Sequence, residues 1–263
     1  MTWQIELHPS DTLIRLCLSQ DRVASAYALG DLRPPLRDRS AFSYAHNAAE
    51  WAILLIYRTT TFSALVPFGS PAGVAALLEA ENSLPRTCIV SNGSAEVRPV
   101  LERWFELGPE EKMYRLVMTR DRFQTFEGPI TCEDLGMQHI GEMSAFYTMN
   151  DVPTFSPDQV QHGLYCGIRR HGVLVAVGGT HFINDADRIA AIGNVYTDTI
   201  LRGNGYARAI ISTLVQRLLA KGCREVVLDV ATTDFSALQR YEPLGFTAQM
   251  HFWEARARRK QAQ

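Results

Sequence analysis

In the second half of the chain, the spacing of apolar residues indicates a long helix with a strand on either side. Between positions 206 and 220 the apolar side chains recur at spacings of three and four, at Ala207, Ile210, Ile211, Leu214, Val215 and Leu218. This spacing is that of one buried helical face, and it predicts a long helix that ends at Lys221-Gly222. A β-branched stretch at 225–230 predicts a buried strand after the helix. A further strand is predicted before it, at 189–197.

The rest of this half completes a mixed α+β unit. We predict strands and helices over the remaining segments: strands at 130–135, 164–170, 173–182 and 246–253, and helices at 136–147, from 156 onward, and at 234–241. Pro157 supports the helix that starts near Ser156, because a proline at the first helical position loses no hydrogen bond. The predicted order is therefore β-α-α-β-β-β-α-β-α-β.

The first half repeats this order more faintly. Its predicted strands are 3–7, 42–45, 51–57, 62–68, 86–91 and 114–119, and its predicted helices are 10–18, 21–29, one from Ser70-Pro71, and 95–105. We therefore predict two similar α+β units in tandem. The join is expected near residues 120–130, which gives domains 1–125 and 126–263.

Composition narrows the class of protein. Of 263 residues, 46% are apolar and 21% are charged, which is typical of a soluble globular chain with real cores. The formal net charge of -2 gives no global attraction to nucleic acid or to acidic membranes. No signal segment and no membrane span is found, so a cytoplasmic protein is expected. The basic residues near the C-terminus (Arg256, Arg258, Arg259 and Lys260) are expected to lie in a frayed, solvated terminus, with a phosphate-binding tail as the alternative.

The five cysteines are scattered at Cys17, Cys88, Cys132, Cys166 and Cys223. They form no C-x-x-C pair and no zinc-ligand spacing, so no metal site is predicted. Scattered cysteines in odd number favour reduced thiols in the cytoplasm.

A glycine-rich turn between strand 189–197 and the long helix carries the clearest chemical signal. The first N–H groups of a helix have no partner inside it, and the helix dipole adds partial positive charge there. Gly203 and Gly205 let the backbone approach an anion, and Arg202 adds a full charge. Such a turn predicts a phosphate or pyrophosphate site.

Two common nucleotide motifs do not fit this turn. A P-loop needs Lys-Ser or Lys-Thr after its last glycine, and none follows here. A dinucleotide fingerprint needs a third glycine, whereas Ala207-Arg208 follow Gly203-Asn204-Gly205.

Two motifs together resemble the GNAT superfamily of N-acetyltransferases. Arg202-Gly203-Asn204-Gly205-Tyr206-Ala207 fits the pyrophosphate loop R/Q-x-x-G-x-G/A of that family. The downstream segment 234–246 is similar to the family pattern N-x-x-A-x-x-x-Y-x-x-x-G-F. The resemblance covers about residues 130–255. The first half resembles a degenerate GNAT unit, as in tandem members such as the glycine N-acyltransferases and related uncharacterised bacterial proteins.

This resemblance implies that each unit is a mixed, mostly antiparallel twisted sheet flanked by helices. It implies acetyl-CoA as cosubstrate, with the pantetheine arm on Val195, Tyr196 and Thr197. The pyrophosphate would lie on Arg202, Gly203, Asn204, Gly205, Tyr206 and Ala207. A backbone N–H of the strand would polarise the thioester carbonyl.

Tyr241 matches the family's general acid, which protonates the leaving thiolate. Alternatively, Tyr241 is an aromatic lid that packs on the helix. Asp234 stands where the family has a cofactor-binding asparagine, and the resemblance makes it a candidate cofactor residue. Its oxygen can cap the helix, although a carboxylate cannot donate to the pantetheine arm as asparagine does. Pro243 also departs from the pattern and is expected to end the helix early.

The general base is not assigned. His181 and Asp198 are candidates near strand ends, although each also fits an ordinary polar position at the end of a strand. Tyr165 and Cys166 are expected to line the acceptor pocket. Direct transfer needs no cysteine nucleophile.

The first half lacks the cofactor loop. Its equivalent segment, 68–73, has no leading arginine or glutamine, and Pro71 removes an N–H donor. We expect that the first half binds no CoA. We expect that it either forms a wall of the acceptor site or mediates dimerisation.

The resulting hypothesis is an acetyl-CoA-dependent N-acetyltransferase that acts by direct transfer on a primary amine of a small molecule. The alternative is a non-catalytic acyl-CoA sensor. No nucleic-acid or membrane partner is expected, and a homodimer is left open.

Overall fold

The computed structural model describes residues 2–60, 62–152 and 155–261. The chain forms two compact units. The first contains Met1–Tyr114, Ala231–Thr233 and Met250–Gln263, and the second contains Arg115–Val230 and Asp234–Gln249. The C-terminal segment therefore packs with the first unit. The predicted linear domains 1–125 and 126–263 describe the sequence repeat and stay a prediction.

The described residues up to 119 form the following α-helices and β-strands: β1 (Gln4–Glu6), α1 (Asp11–Leu18), α2 (Ala26–Gly30), β2 (Ser40–His46), β3 (Trp51–Arg58), β4 (Ser63–Gly69), α3 (Pro71–Ala80), β5 (Thr87–Asn92), α4 (Val97–Leu101), β6 (Phe105–Leu107) and β7 (Glu111–Thr119). The remaining elements follow in the same order: β8 (Glu133–Leu135), α5 (Ile140–Met149), α6 (Pro157–His162), β9 (Tyr165–Arg170), β10 (Val173–Asn184), β11 (Ile189–Thr197), α7 (Tyr206–Ala220), β12 (Glu225–Ala231), α8 (Phe235–Tyr241) and β13 (Thr247–Arg259).

Each unit contains the same kind of sheet. In the first, β1, β2, β3 and β4 pair antiparallel in sequence order, and β4 pairs parallel with β5. In the second, β8, β9, β10 and β11 pair antiparallel, and β11 pairs parallel with β12. The predicted α+β fold with two similar, mostly antiparallel mixed sheets is confirmed.

Several element bounds differ from the predictions. The helix predicted at 21–29 is limited to α2, and the helix predicted at 95–105 ends at Leu101, after which β6 begins at Phe105. The strand predicted at 130–135 is only Glu133–Leu135. By contrast, β11 and α7 have the predicted bounds, and the apolar face of α7 is fully buried at Ile210, Ile211, Leu214, Val215 and Leu218.

The prediction of a frayed C-terminus is wrong. Strand β13 continues to Arg259 and pairs antiparallel with both β5 and β6. Arg258 forms an ion pair with Glu106, and the backbone N–H of Lys260 donates to Trp104 O at 2.8 Å. These basic residues are therefore fixed by sheet pairing, because alternate residues of the strand, Ala255 and Ala257, are buried in the core.

None of the helices in the described part of the chain combines the length and the apolar character that a membrane crossing requires.

Candidate functional site

Strands β11 and β12 pair over only part of their length. The parallel register joins Ile189, Ala190 and Ala191 to 225–227, and no further pair forms between these strands within the described residues. From Ile192 to Thr197, β11 therefore has an edge that is not paired with β12. An unpaired strand edge presents backbone N–H and C=O groups to which an extended ligand can bind.

Two β-bulges lie side by side where β10 meets β11. Val177 pairs with Tyr196 and Gly179 pairs with Gly193, so β11 contains an extra residue between them. Asn194 is in this bulge with φ 52, a left-handed conformation that asparagine tolerates better than most residues. The second bulge places the extra residue on β10, at His181. Bulges re-aim side chains, and both of these residues contact the same partner on α6.

That partner is Gln159. Its Oε1 accepts from the Ser156 N–H at 3.0 Å and from Asn194 Nδ2 at 2.8 Å. The Tyr165 hydroxyl lies 3.2 Å from Gln159 Oε1 and accepts from Asn194 Nδ2 at 3.0 Å. We call Gln159, Tyr165, His181 and Asn194 the polar cluster. It connects α6, β9, β10 and the bulge of β11.

The direction of these hydrogen bonds fixes the tautomer of His181. A backbone N–H can only donate, so the Ser156 contact identifies the oxygen of Gln159 and leaves its Nε2 facing His181 Nδ1 at 3.3 Å. Nδ1 therefore accepts, and the proton of the neutral ring is on Nε2. Burial lowers the pKa of His181, against a smaller opposing effect of Asp229. With Nδ1 already accepting, His181 is poorly suited to take a proton from an amine.

Tyr147 on α5 holds the backbone of the same bulge. Its hydroxyl donates to Asn194 O at 2.6 Å, and the side chain is 1% exposed. Burial raises the pKa of Tyr147 well above its ordinary value, so the hydroxyl stays a donor. The ring stacks on Phe155 with centroids 4.4 Å apart. Asn194 is thus held at two points of the bulge: its side chain is bonded to the polar cluster, and its carbonyl accepts from Tyr147.

The segment 198–205 connects the unpaired strand edge to α7. Asp198 caps a short turn by accepting from the Ile200 N–H at 3.1 Å, which gives this base candidate a structural role. Gly203 and Gly205 have φ of 84 and 83, and Gly205 is the N-cap of α7. A glycine offers no side chain to accept from the first N–H groups of the helix, so they remain available to an anion.

Arg202 lies against the strand that precedes it. Its Nη2 donates to the Tyr196 hydroxyl at 2.9 Å, and its guanidinium carbon is 5.1 Å from the centre of the Tyr196 ring. Arg202 is exposed, so its charge also faces solvent. The predicted pyrophosphate residue is therefore fixed beside the predicted pantetheine strand.

A buried hydroxyl on this strand is without a partner. Among the described residues, Thr197 Oγ1 is buried and makes no hydrogen bond. A buried unpaired polar group is costly unless a ligand or water satisfies it. Together with the unpaired edge of β11 and the N-terminus of α7, this residue fits a ligand that combines a polar extended arm with phosphates.

Tyr241 is the last residue of α8 and is 7% exposed. Burial is the main cause of its raised pKa; Arg240 lowers the pKa and Asp234 raises it. The helix ends at Tyr241 and Pro243 lies in the short turn that follows, as predicted. Asp234 directly precedes α8, and its carboxylate accepts from Arg240 Nη2 at 2.9 Å.

Tyr165 and Cys166 begin β9, as predicted, but point to opposite faces of the sheet. Tyr165 joins the polar cluster, whereas Cys166 Sγ lies 3.8 Å from Ile210 O on α7. Gln159, Asn194 and Tyr147 were not predicted as site residues. Ser156 and Gln159 form an S-x-x-Q capping pattern, which is a sequence signal that could have identified Gln159.

Among its described residues, the first unit has no counterpart of this loop. Ser70 joins β4 directly to α3, and Gly69 lies so close to Trp51 O that a Cβ there would clash. Pro71 is at the start of α3, and the Trp3 ring packs against Gly73 in its first turn. The first turn of α3 therefore lacks one N–H donor and has the Trp3 ring beside Gly73.

The fold and the site define the class of protein. Residues 135–246 match the model of the acetyltransferase (GNAT) family, and over this segment the chain is similar to that family. The family in general uses acetyl-CoA.

Individual proteins resemble the chain either in a part of its sequence or in its fold. Over 83 residues the chain is 29% identical to an N-alpha-acetyltransferase 30 of Dictyostelium discoideum, and the match covers 32% of this chain and 43% of that relative's length. A GCN5-related N-acetyltransferase from Kribbella flavida has a TM-score of 0.62 and 19% identity, covering 92% of this chain and 95% of its own. A tandem GNAT protein from the clavulanic acid biosynthesis pathway covers 100% of both chains with a TM-score of 0.59 and 11% identity. At these identities the solved structures indicate the fold alone.

Proposed function

We propose that this chain is an acetyl-CoA-dependent N-acetyltransferase that moves an acetyl group to a primary amine of a small molecule by direct transfer. The observation that carries the proposal is the unpaired edge of β11, which begins beside the bulge at Asn194 and ends at the Arg202 loop. A strand edge followed by a helix N-terminus suits an acyl carrier with an amide-containing arm and a pyrophosphate.

In this proposal different residues of the chain bind the arm, hold the pyrophosphate and protonate the leaving sulfur. Val195, Tyr196 and Thr197 bind the arm through their backbone, and an N–H of this strand polarises the thioester carbonyl. The loop from Arg202 to Ala207 holds the pyrophosphate. Acetyl-CoA supplies the activated acetyl group when bound. Tyr241 donates a proton to the sulfur as it leaves.

We assign no protein group as the base. His181 is held neutral with Nδ1 accepting from Gln159, and Asp198 caps a turn. We propose that the acceptor amine loses its proton to water.

The test is acetyl-CoA-dependent thiol release with a panel of amines: amino acids, aminoglycosides, polyamines and peptide N-termini. Acetylated product that appears with one class of acceptor supports the enzyme. Calorimetric binding of CoA with no transfer across the whole panel would favour the alternative, a non-catalytic acyl-CoA sensor.

Tyr147→Phe should lower kcat roughly five- to tenfold, because one hydrogen bond to the Asn194 carbonyl is worth about 1 kcal/mol and its loss lets the bulge relax. The affinity for acetyl-CoA should stay within about twofold, since most of it comes from the phosphate loop. Steady-state kinetics and calorimetry measure the two effects separately. Tyr57→Phe on β3 is the matched control. An unchanged kcat would show that Tyr147 does not position the strand.

Acetyl-CoA should bind once per chain. Ser70 leaves no loop between β4 and α3, and Pro71 removes a donor. Calorimetric titration of the full chain should therefore give a stoichiometry of one. Two equivalent sites per chain would rule out the assignment of the first unit as a unit without cofactor.

A further inference from the structure

Two cysteines of the second unit meet on the face of the sheet opposite the polar cluster. Cys132 directly precedes β8 and Cys166 is in β9, which pairs with β8 through Asp134. The register places Asp134 opposite Cys166, so Cys132, two residues before Asp134, lies on the same face of the sheet, and each thiol affects the pKa of the other. Their chain positions are far apart, so the contact is a product of the fold.

The two thiols differ in access. Cys166 is 0% exposed and its Sγ lies 3.8 Å from Ile210 O. Cys132 is only half-buried, so a small solute can reach it. One thiol is thus accessible while its neighbour is enclosed.

The charges around Cys132 favour its thiolate. The hydrogen bond from Cys166 is the main cause that lowers the pKa of Cys132 to about 7, and Thr213 and Arg217 act in the same direction against burial. Arg217 also forms an ion pair with Asp134. The same contact, together with burial, raises the pKa of Cys166. At neutral pH one sulfur is therefore a nucleophile and the other retains its proton.

The other cysteines provide internal comparisons. Cys17, Cys88 and Cys223 are buried, and burial raises the pKa of each thiol. None of the three has a cysteine among the groups that shift its pKa. They should react slowly with oxidants.

We propose that Cys132 and Cys166 form a peroxide-sensitive dithiol, in which Cys132 is oxidised first and Cys166 closes a disulfide. The Cys132 thiolate attacks one oxygen of hydrogen peroxide, the O–O bond breaks, and the released hydroxide takes a proton to become water. This leaves a sulfenic acid on Cys132. The Cys166 sulfur then attacks the Cys132 sulfur, the S–O bond breaks, and the departing hydroxide leaves as water with the Cys166 proton. The two sulfurs lose two electrons in total, which reduce the peroxide.

The experiment treats the reduced full-length chain with hydrogen peroxide. Free thiols are then alkylated, and the peptides are mapped without reduction. We expect two of the five thiols to be lost, a cross-linked peptide pair that contains Cys132 and Cys166, and its disappearance after treatment with dithiothreitol. Cys132 should react roughly tenfold faster than Cys223 or more, since a thiolate is the reactive species.

Variants separate the two roles. Cys166→Ser should accumulate a sulfenic acid at Cys132 that dimedone traps, and Cys132→Ser should protect Cys166. Cys223→Ser is the matched control and should behave like the unchanged chain. Oxidation of Cys132 without a cross-link to Cys166 in the unchanged chain would overturn the dithiol. Equal reactivity of Cys132 and Cys223 would overturn the site altogether.

Discussion

Arg202→Glu should lower the affinity for acetyl-CoA at least tenfold, or about 1.4 kcal/mol. The guanidinium lies at the end of the unpaired strand edge, fixed by the Tyr196 hydroxyl and the Tyr196 ring. A glutamate there would replace a positive charge with a negative one beside the phosphates and would lose both contacts. Calorimetric titration of the variant measures the effect.

Two matched variants separate charge from position. Arg202→Gln keeps a donor and is the other residue that the family loop accepts, so its affinity should fall only a few-fold. Arg170→Glu makes the same charge change on an exposed end of β9 and should leave the affinity unchanged. If Arg202→Glu binds as tightly as the unchanged chain, the loop does not hold the pyrophosphate.

Tyr241→Phe should lower kcat about 100-fold while acetyl-CoA affinity is retained, because general acid catalysis typically contributes that much or more. The hydroxyl acts only as negative charge develops on sulfur, so its loss is a transition-state effect. Phenylalanine keeps the ring that packs near Phe246, with centroids 6.2 Å apart. Single-turnover rates give the chemical step directly if product release limits turnover.

The raised pKa of Tyr241 allows a second test of its role as a general acid. Burial raises this pKa above its ordinary value of 10.0, so the hydroxyl stays protonated throughout the usual assay range. A phenol whose pKa is above 10.0 is less than about a tenth ionised at pH 9, so the rate should show no appreciable fall from Tyr241 ionisation up to that pH. Tyr114→Phe on β7 is the control for loss of a hydroxyl elsewhere. A Tyr241→Phe enzyme with unchanged single-turnover rates at every pH would mean that the thiolate leaves unprotonated or takes its proton from water.

The predictions from sequence were most accurate for elements with a strong hydrophobic period and with turn or glycine residues at their ends. The long helix α7 has a buried face at every turn and a glycine stop, and β11 runs between a turn and a glycine loop. By contrast, α2 and α4 are shorter than predicted, because periodicity in a window of ten residues also fits short turns. The end of β13 was missed because its arginines hide the alternating alanines Ala255 and Ala257.

The bulges could not be predicted from periodicity. A bulge shifts the register by one residue, and this shift depends on the partner strand, which a single sequence does not specify. The contacts of Asn194 and His181 with Gln159 follow from both shifts together. Sequence reasoning therefore found His181 as a polar residue near a strand end but gave it no partner, and it assigned no role to Asn194.

Because β13 belongs to the first sheet, it limits how the gene can be shortened or tagged. The strand that closes against β5 and β6 is encoded after every element of the second sheet. A fragment that stops at residue 125 would expose the hydrogen-bonding edge of β5, which invites aggregation of the fragment. Short affinity tags are consequently safer at the N-terminus than as replacements of residues 250–261. Separate study of the two halves would need a circularly permuted gene that restores this strand to the first sheet.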